Sequence, residues 1–164
     1  SGHRNIAVLG GDRAISDTSA KRYEGCVEAF RKNGLTFDDE TMYYTGRYSY
    51  EFGYKGMKQA LRERKKLTAV FAMADVIAIG AIRALFDEGL RVPEDISVAG
   101  YDGLRIGAYF VPKLTTIAQS VDLLAERSFD LLLACMQGAQ AQHLTVPFRL
   151  LTRQSVRQIT EIEG

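Results

Sequence analysis

Two charged residues far apart in the chain, Arg22 and Asp102, have the chemistry to grip a small polar molecule. Arg22 falls in the opening turn of an amphipathic segment, where the helix macrodipole disfavours a cation. A ligand is one reason for it to be there, and a solvated surface role is the other. Its guanidinium offers a fork of donors suited to vicinal hydroxyls or a carboxylate. Asp102 follows an apolar run in the sequence Gly100-Tyr101-Asp102-Gly103. A carboxylate there accepts from sugar hydroxyls or purine N–H groups, although Asp-Gly is equally a turn signal. Tyr43, Tyr44, Tyr48 and Tyr50 crowd one stretch, so any of these rings either stacks on a sugar or base or fills the core. Ser16 and Thr18, just ahead of Arg22, offer hydroxyls to a ligand or caps to a helix.

Catalytic signatures are lacking. Gly10-Gly11-Asp12 does not have the spacing of a dinucleotide-binding turn, and there is no phosphate-binding loop. His3 and His143 lie away from the residues above, so a nucleophile would have no imidazole base. Asp75 with Asp102 makes a carboxylate pair without a nucleophile or metal cluster. The expectation is a protein that is not an enzyme and uses no cofactor and no metal. Cys26 and Cys135 sit in apolar helical patterns without a CxxC, as expected of thiols in a reducing cytoplasm. The longest apolar run, Val76 to Ile82, is far short of the ~20 residues that cross a bilayer, and no signal peptide is evident; the expected location is cytoplasmic. A net charge of +1 gives no bulk attraction to nucleic acid.

The elements that must hold these residues alternate in the βαβ manner. Asn5 to Gly10 reads as a core strand. Ser16 to Ser19 offer caps for a helix with Tyr23, Cys26, Val27 and Phe30 on one face, ended by Gly34. Thr41 to Thr45 is a second strand, and Ser49 caps a helix turning Phe52, Gly56, Met57, Ala60 and Leu61 inward. Ala69 to Met73 and Ile96 to Gly100 are further strands, flanking a helix from Val76 to Glu88 that Asp75 caps and Gly89 stops. Continuously apolar strands indicate a parallel sheet covered on both faces, hence a doubly wound α/β/α sandwich with its mouth beyond the strand carboxyl ends. That mouth gathers Gly10–Thr18, Gly46–Ser49, Ala74–Asp75 and Tyr101–Leu104. Beyond Gln119, a helix from Val121 to Gln137 carries a wide apolar face with Val121, Ala125, Phe129, Leu132, Cys135 and Met136. Val146 to Val156 reads as a last strand.

Six ordered motifs tie these elements to a known family. They are Gly2-His3-Arg4-x-Ile6-Ala7, Arg22-x-x-Gly25, Asp75-x-x-Ala78-x-Gly80-Ala81, Pro93-x-Asp95-Ile96-Ser97-Val98-x-Gly100-Tyr101-Asp102, Pro112-x-Leu114-Thr115-Thr116-Ile117-x-Gln119, and Leu150-x-x-Arg153-x-Ser155-Val156. Together they resemble the effector-binding core of the LacI/GalR transcriptional regulators, a fold of the type I periplasmic-binding-protein kind. In that family two similar subdomains clamp a small effector, and a separate helix-turn-helix with a hinge helix reads the operator. The resemblance implies that residues 1–118 and 144–158 form the C-terminal subdomain. Residues 119–143 would be a crossover returning to an N-terminal subdomain outside these 164 residues, and DNA would be contacted only through the helix-turn-helix. A sugar-binding protein of a transport system is the alternative with the same fold.

The resemblance also assigns roles. Arg22 would fork to the effector, Asp102 would accept from it and Tyr48 would stack on its ring, with Ser16 and Thr18 adding hydroxyl contacts. Gln119, at the crossover, either touches the ligand or braces the hinge. Many relatives carry Asn where this chain has Ala74, so a sugar-reading amide is missing and a less hydroxylated, nucleobase-like effector fits as well as a sugar. A homodimer is expected through Val76, Ile79, Ile106, Tyr109 and Phe110, with Phe110 as anchor. The helix from Val121 is expected to pack against another copy or fold back onto its own subdomain.

Overall fold

The computed structural model describes residues 1–64 and 66–159. Along the chain it forms β1 (Ile6–Gly10), α1 (Asp17–Lys32), α2 (Asp39–Met42), β2 (Tyr43–Thr45), α3 (Tyr50–Glu63), β3 (Ala69–Ala72) and α4 (Asp75–Asp87). Then follow β4 (Ser97–Asp102), a 3-10 turn (Arg105–Ala108), β5 (Thr115–Gln119), α5 (Val121–Met136) and β6 (Phe148–Leu151). One six-stranded sheet runs in the order β2-β1-β3-β4-β5-β6. Its pairs are parallel through β5, and β6 alone is antiparallel. The expected α/β architecture is thus present, with mostly parallel strands.

Helices α3 and α4 cover one face and enclose the main core, in which Leu9, Met57, Val70, Ile77, Leu85 and Val98 are fully buried or nearly so. These two helices touch backbone to backbone. A Cβ on Gly53 would overlap the Ile77 carbonyl, and one on Gly80 would overlap the Tyr50 carbonyl. Gly80 of the Asp75 motif is therefore a packing requirement. The opposite face is covered by α1, whose buried Cys26 packs with Val8 and Met73. Burial pushes the Cys26 thiol up to about 12.

Several local expectations change. Thr41 and Met42 belong to α2, because the Asp38 side chain accepts from Glu40 N at 3.1 Å and starts a helical turn, leaving the strand only Tyr43–Thr45. The Leu-Thr-Thr-Ile segment is a full strand, β5, held between β4 and β6. The last strand shrinks from the expected 146–156 to Phe148–Leu151. Beyond it the chain still docks: Ser155 Oγ accepts from Thr115 N and donates to Val98 O.

Asp75 does not cap α4. Ala74 occupies the cap position with no side-chain hydrogen bond, and Asp75 is the first helical residue, with its carboxylate buried. Ser16 and Ser49 do cap their helices, accepting from Ser19 N and Phe52 N. Finally, α5 does not fold back. None of its residues is buried, and Val121, Phe129, Leu132 and Met136 are all more than half exposed.

Candidate functional site

The carboxyl ends of β1, β3 and β4 bring Gly10–Gly11, Met73–Ala74 and Tyr101–Asp102 to one rim, and α1 lowers Arg22 onto it. Arg22 is the sixth residue of α1, so it lies in the second turn. The helix macrodipole, which is felt in the first turn, therefore does not bear on its position, and tertiary partners account for it. Its Nη2 donates to Asp102 Oδ1 at 3.0 Å, and Nη1 donates to the Met73 carbonyl oxygen. The guanidinium carbon stands 4.1 Å from the centre of the Tyr101 ring and 5.6 Å from that of Tyr48. A cation over an aromatic face is attracted by the ring quadrupole. The side chains of Arg22 and Asp102 are 16% and 27% exposed, so the pair is sheltered yet reachable from the rim.

Asp102 has φ 115°, a left-handed backbone conformation that costs an L residue energy unless its surroundings hold it. The turn after it is held from the buried side. Gly103 N donates to Thr116 Oγ1 at 3.3 Å, Leu104 N to Asp75 Oδ2 at 2.6 Å, and Thr116 Oγ1 to Asp75 Oδ1 at 2.6 Å. Burial pushes the Asp75 carboxyl above its ordinary range, against the pull of these donors. Gln119 Nε2 reaches the same Asp102 Oδ1 at 3.0 Å. One carboxylate oxygen therefore serves donors from α1 and from the end of β5.

Tyr48 forms the far wall. Its hydroxyl lies 3.0 Å from the Oγ of buried Ser19, and its ring rests against Gly11, where a Cβ would collide with both. Tyr43 and Tyr44 belong to the interior. The Tyr43 hydroxyl donates to Gly11 O at 2.6 Å, and Tyr44 is 6% exposed. Tyr50 lies exposed on α3. Ser16 is engaged as the α1 cap, and Thr18 is exposed in the first turn of that helix. Ala74 is buried and its side chain brings no polar atom. Three participants were not singled out from sequence: the Tyr101 ring, the Ser19 hydroxyl and the Met73 carbonyl. Only Tyr101 carried a signal, as the middle residue of the Gly-Tyr-Asp motif.

The expected dimer residues are dispersed. Ile79 is 7% exposed and belongs to the core, and Val76 and Phe110 pack partly buried against it. Ile106 and Tyr109 are exposed, and Val111 beside them is more exposed still. The aromatic available to a partner on this loop is Tyr109, since the neighbouring Phe110 turns inward.

The likeness to known proteins extends over nearly the whole chain. A family model described as a periplasmic binding protein-like domain matches residues 1–156. The HTH-type transcriptional repressor PurR of Photorhabdus laumondii is 40% identical over 157 residues, covering 94% of this chain and 46% of that protein. The Lac repressor dimer bound to operator and the anti-inducer ONPF shares 34% identity at a TM-score of 0.87, covering 94% of this chain and 53% of that one. A sugar-binding LacI-family regulator from Escherichia coli, complexed with phosphate, gives 31% identity and a TM-score of 0.84, covering 94% and 55%. The chain spans about half the length of the curated relatives it matches. Its strand order, its six motifs and this coverage agree, and the chain belongs to the periplasmic-binding-protein-like domain family, as an effector-binding core of the LacI/GalR type.

Proposed function

We propose that this chain is the ligand-sensing, C-terminal half of a LacI-type transcriptional regulator, and that it is not an enzyme. A small effector, a sugar or a nucleobase-like molecule, binds at Arg22, Asp102 and Tyr48. Its binding controls operator contact by a helix-turn-helix outside these residues, in a cytoplasmic homodimer. The observation that carries this reading is the sheltered Arg22–Asp102 pair, stacked on Tyr101 and walled by Tyr48 at the strand carboxyl ends. It presents a donor fork, a carboxylate and aromatic faces on one rim, the combination that orients a polar ring. Residues 1–118 and 144–158 act as one subdomain, and 119–143 cross to the other. The unburied apolar face of α5 supports that division, because such a face is soluble only when something covers it. Ile106, Tyr109 and Val111 supply the exposed apolar part of the dimer face.

Switching requires that the effector bind one clamp state better than the other. The test is a thermal-shift screen of sugars and nucleobases on the full-length regulator. A compound that raises the melting temperature, with the rise lost in Arg22→Ala and in Asp102→Ala, supports the reading. An unchanged rise in both variants removes these residues from the site.

A further inference from the structure

The loop between β1 and α1 is fastened by side chains to the edge of the fold. Asp12, Arg13, Ala14 and Ile15 are exposed, so burial does little to hold them. Arg13 instead reaches across to Asp39, the first residue of α2, with Nη2 2.6 Å from Oδ2. Its guanidinium carbon lies 4.2 Å from the centre of the Tyr23 ring, and the Tyr23 hydroxyl donates to Asp39 Oδ1. Both oxygens of one carboxylate are therefore engaged, one by the loop and one by α1. These partners, the Tyr23 hydroxyl first, hold the Asp39 carboxyl below its ordinary range.

The same cluster continues to the rim. Tyr23 meets Tyr43 edge-on, with ring centres 5.1 Å apart, and the Tyr43 hydroxyl donates to Gly11 O at 2.6 Å. Gly11 in turn lies against the Tyr48 ring so closely that a Cβ there would come within 2.5 Å of it. Asp39 thus fixes Gly11 by two routes. One runs through Arg13 and along the loop, the other through Tyr23 and Tyr43 across the cluster. The Tyr48 ring is 37% exposed, so its Gly11 side depends on where that loop stands.

We propose that Asp39 is a positioning residue for the effector site: it holds the β1–α1 loop in place, and with it the Gly11 side of the Tyr48 wall. This rests on the reading above of Tyr48 as part of that site, and it names a residue on a separate element, α2, as what orders the wall. The Arg13 and Asp39 side chains are 45% and 37% exposed, and an ion pair so open to water is a weak tie that salt screens. The contacts of Tyr43 and Tyr48 with Gly11 carry no net charge and are not screened in this way. Salt therefore acts on the wall only through the Arg13–Asp39 pair.

The test uses the full-length regulator without effector, labelled with fluorotyrosine and followed by fluorine NMR. The Tyr48 signal is identified by its loss in Tyr48→Phe, and its displacement between ordinary and heavy water reads how far solvent reaches the ring. Buried Tyr44 gives the closed limit and the urea-unfolded protein the open one. In Asp39→Ala the Tyr48 displacement is expected to move towards the open limit, with Tyr44 and Tyr54 unchanged. Arg13→Ala, which keeps the Tyr23–Asp39 bond, is expected to move it less. Salt at about 1 M, where the Debye length is about 3 Å, is expected to move the parent in the same direction and to leave Asp39→Ala unmoved. A Tyr48 signal unmoved in Asp39→Ala, an equal response to salt in both proteins, or a movement shared by Tyr54 overturns the proposal. Because no effector is present, these outcomes are separate from success or failure of the thermal-shift screen.

Discussion

Thr116 Oγ1 donates to Asp75 Oδ1 at 2.6 Å, and neither residue has any surface open to solvent. A hydroxyl in the middle of β5 and a carboxylate at the start of α4 thus close the floor under the Asp102 turn. Replacing Thr116 by Val keeps the shape and removes the donor. Leaving a buried carboxylate oxygen without its partner costs about 1–3 kcal/mol, to be read from urea unfolding at neutral pH.

The same pair fixes a pH dependence. Burial raises the folded-state pKa of Asp75 above its unfolded value, so folding favours the protonated form. Its stabilising contribution is complete below the ordinary carboxylate value and is lost as pH rises through the raised folded one. Thr116 opposes the shift, so Thr116→Val should steepen that loss. Urea midpoints followed from the acid carboxylate range up to neutral pH, in both proteins, check this; parallel curves would refute it.

His3 acts with the opposite sign. Burial is the main cause that lowers its pKa, while its ring nitrogens lie 3.1 Å from Thr68 Oγ1 and 3.2 Å from Arg157 O. The neutral ring is favoured on folding, so the contribution is present above the ordinary histidine value of about 6.5 and is lost as pH falls through the lower folded value. His3→Gln should flatten the stability curve on the acid side of neutrality, as seen by thermal melts in matched buffers.

Two glycines should respond in opposite directions to alanine. Gly80 faces the Tyr50 carbonyl, with no space for a methyl group, and overpacking there costs about 1–3 kcal/mol or more. A Cβ on Gly25, in the middle of α1, would meet nothing within 4 Å. There, alanine should stabilise by about 0.5–1 kcal/mol through helix propensity. The melting temperatures of the two variants should therefore fall on either side of the parent.

The two thiols should separate in a labelling experiment. Cys26, pushed up to about 12 and buried on the inward face of α1, is protonated at neutral pH, whereas Cys135 is partly exposed on α5. A disulfide reagent should modify one thiol in the folded protein and the second only after denaturation.

The sequence pattern made the parallel sheet and most of its helices legible, because buried strands and capped amphipathic helices leave distinct periodicities. It did not make β5 legible as a strand. Thr115, Thr116 and Ile117 are β-branched and suit a strand, but two hydroxyls interrupt the apolar run that marks the other strands, and the folded partners show how they are satisfied: Arg153 N donates to one and Asp75 accepts from the other. The role of Asp75 was misread for a related reason. An acidic residue at a helix start has a local use as a cap and a long-range use as an acceptor, and periodicity does not distinguish them. At the site, Arg22, Asp102 and Tyr48 do come to one rim. The ring of Tyr101 and the carbonyl of Met73 depended on how β3 and β4 end side by side, which is a tertiary fact.

The reciprocal contact of Gly53 with Ile77 and Gly80 with Tyr50 also has a mechanical meaning. Main chain locked on main chain has no rotamers to exchange, so α3 and α4 do not slide past one another and the sheet above them keeps its curvature. Any movement of this domain then carries α3 and α4 together as one body.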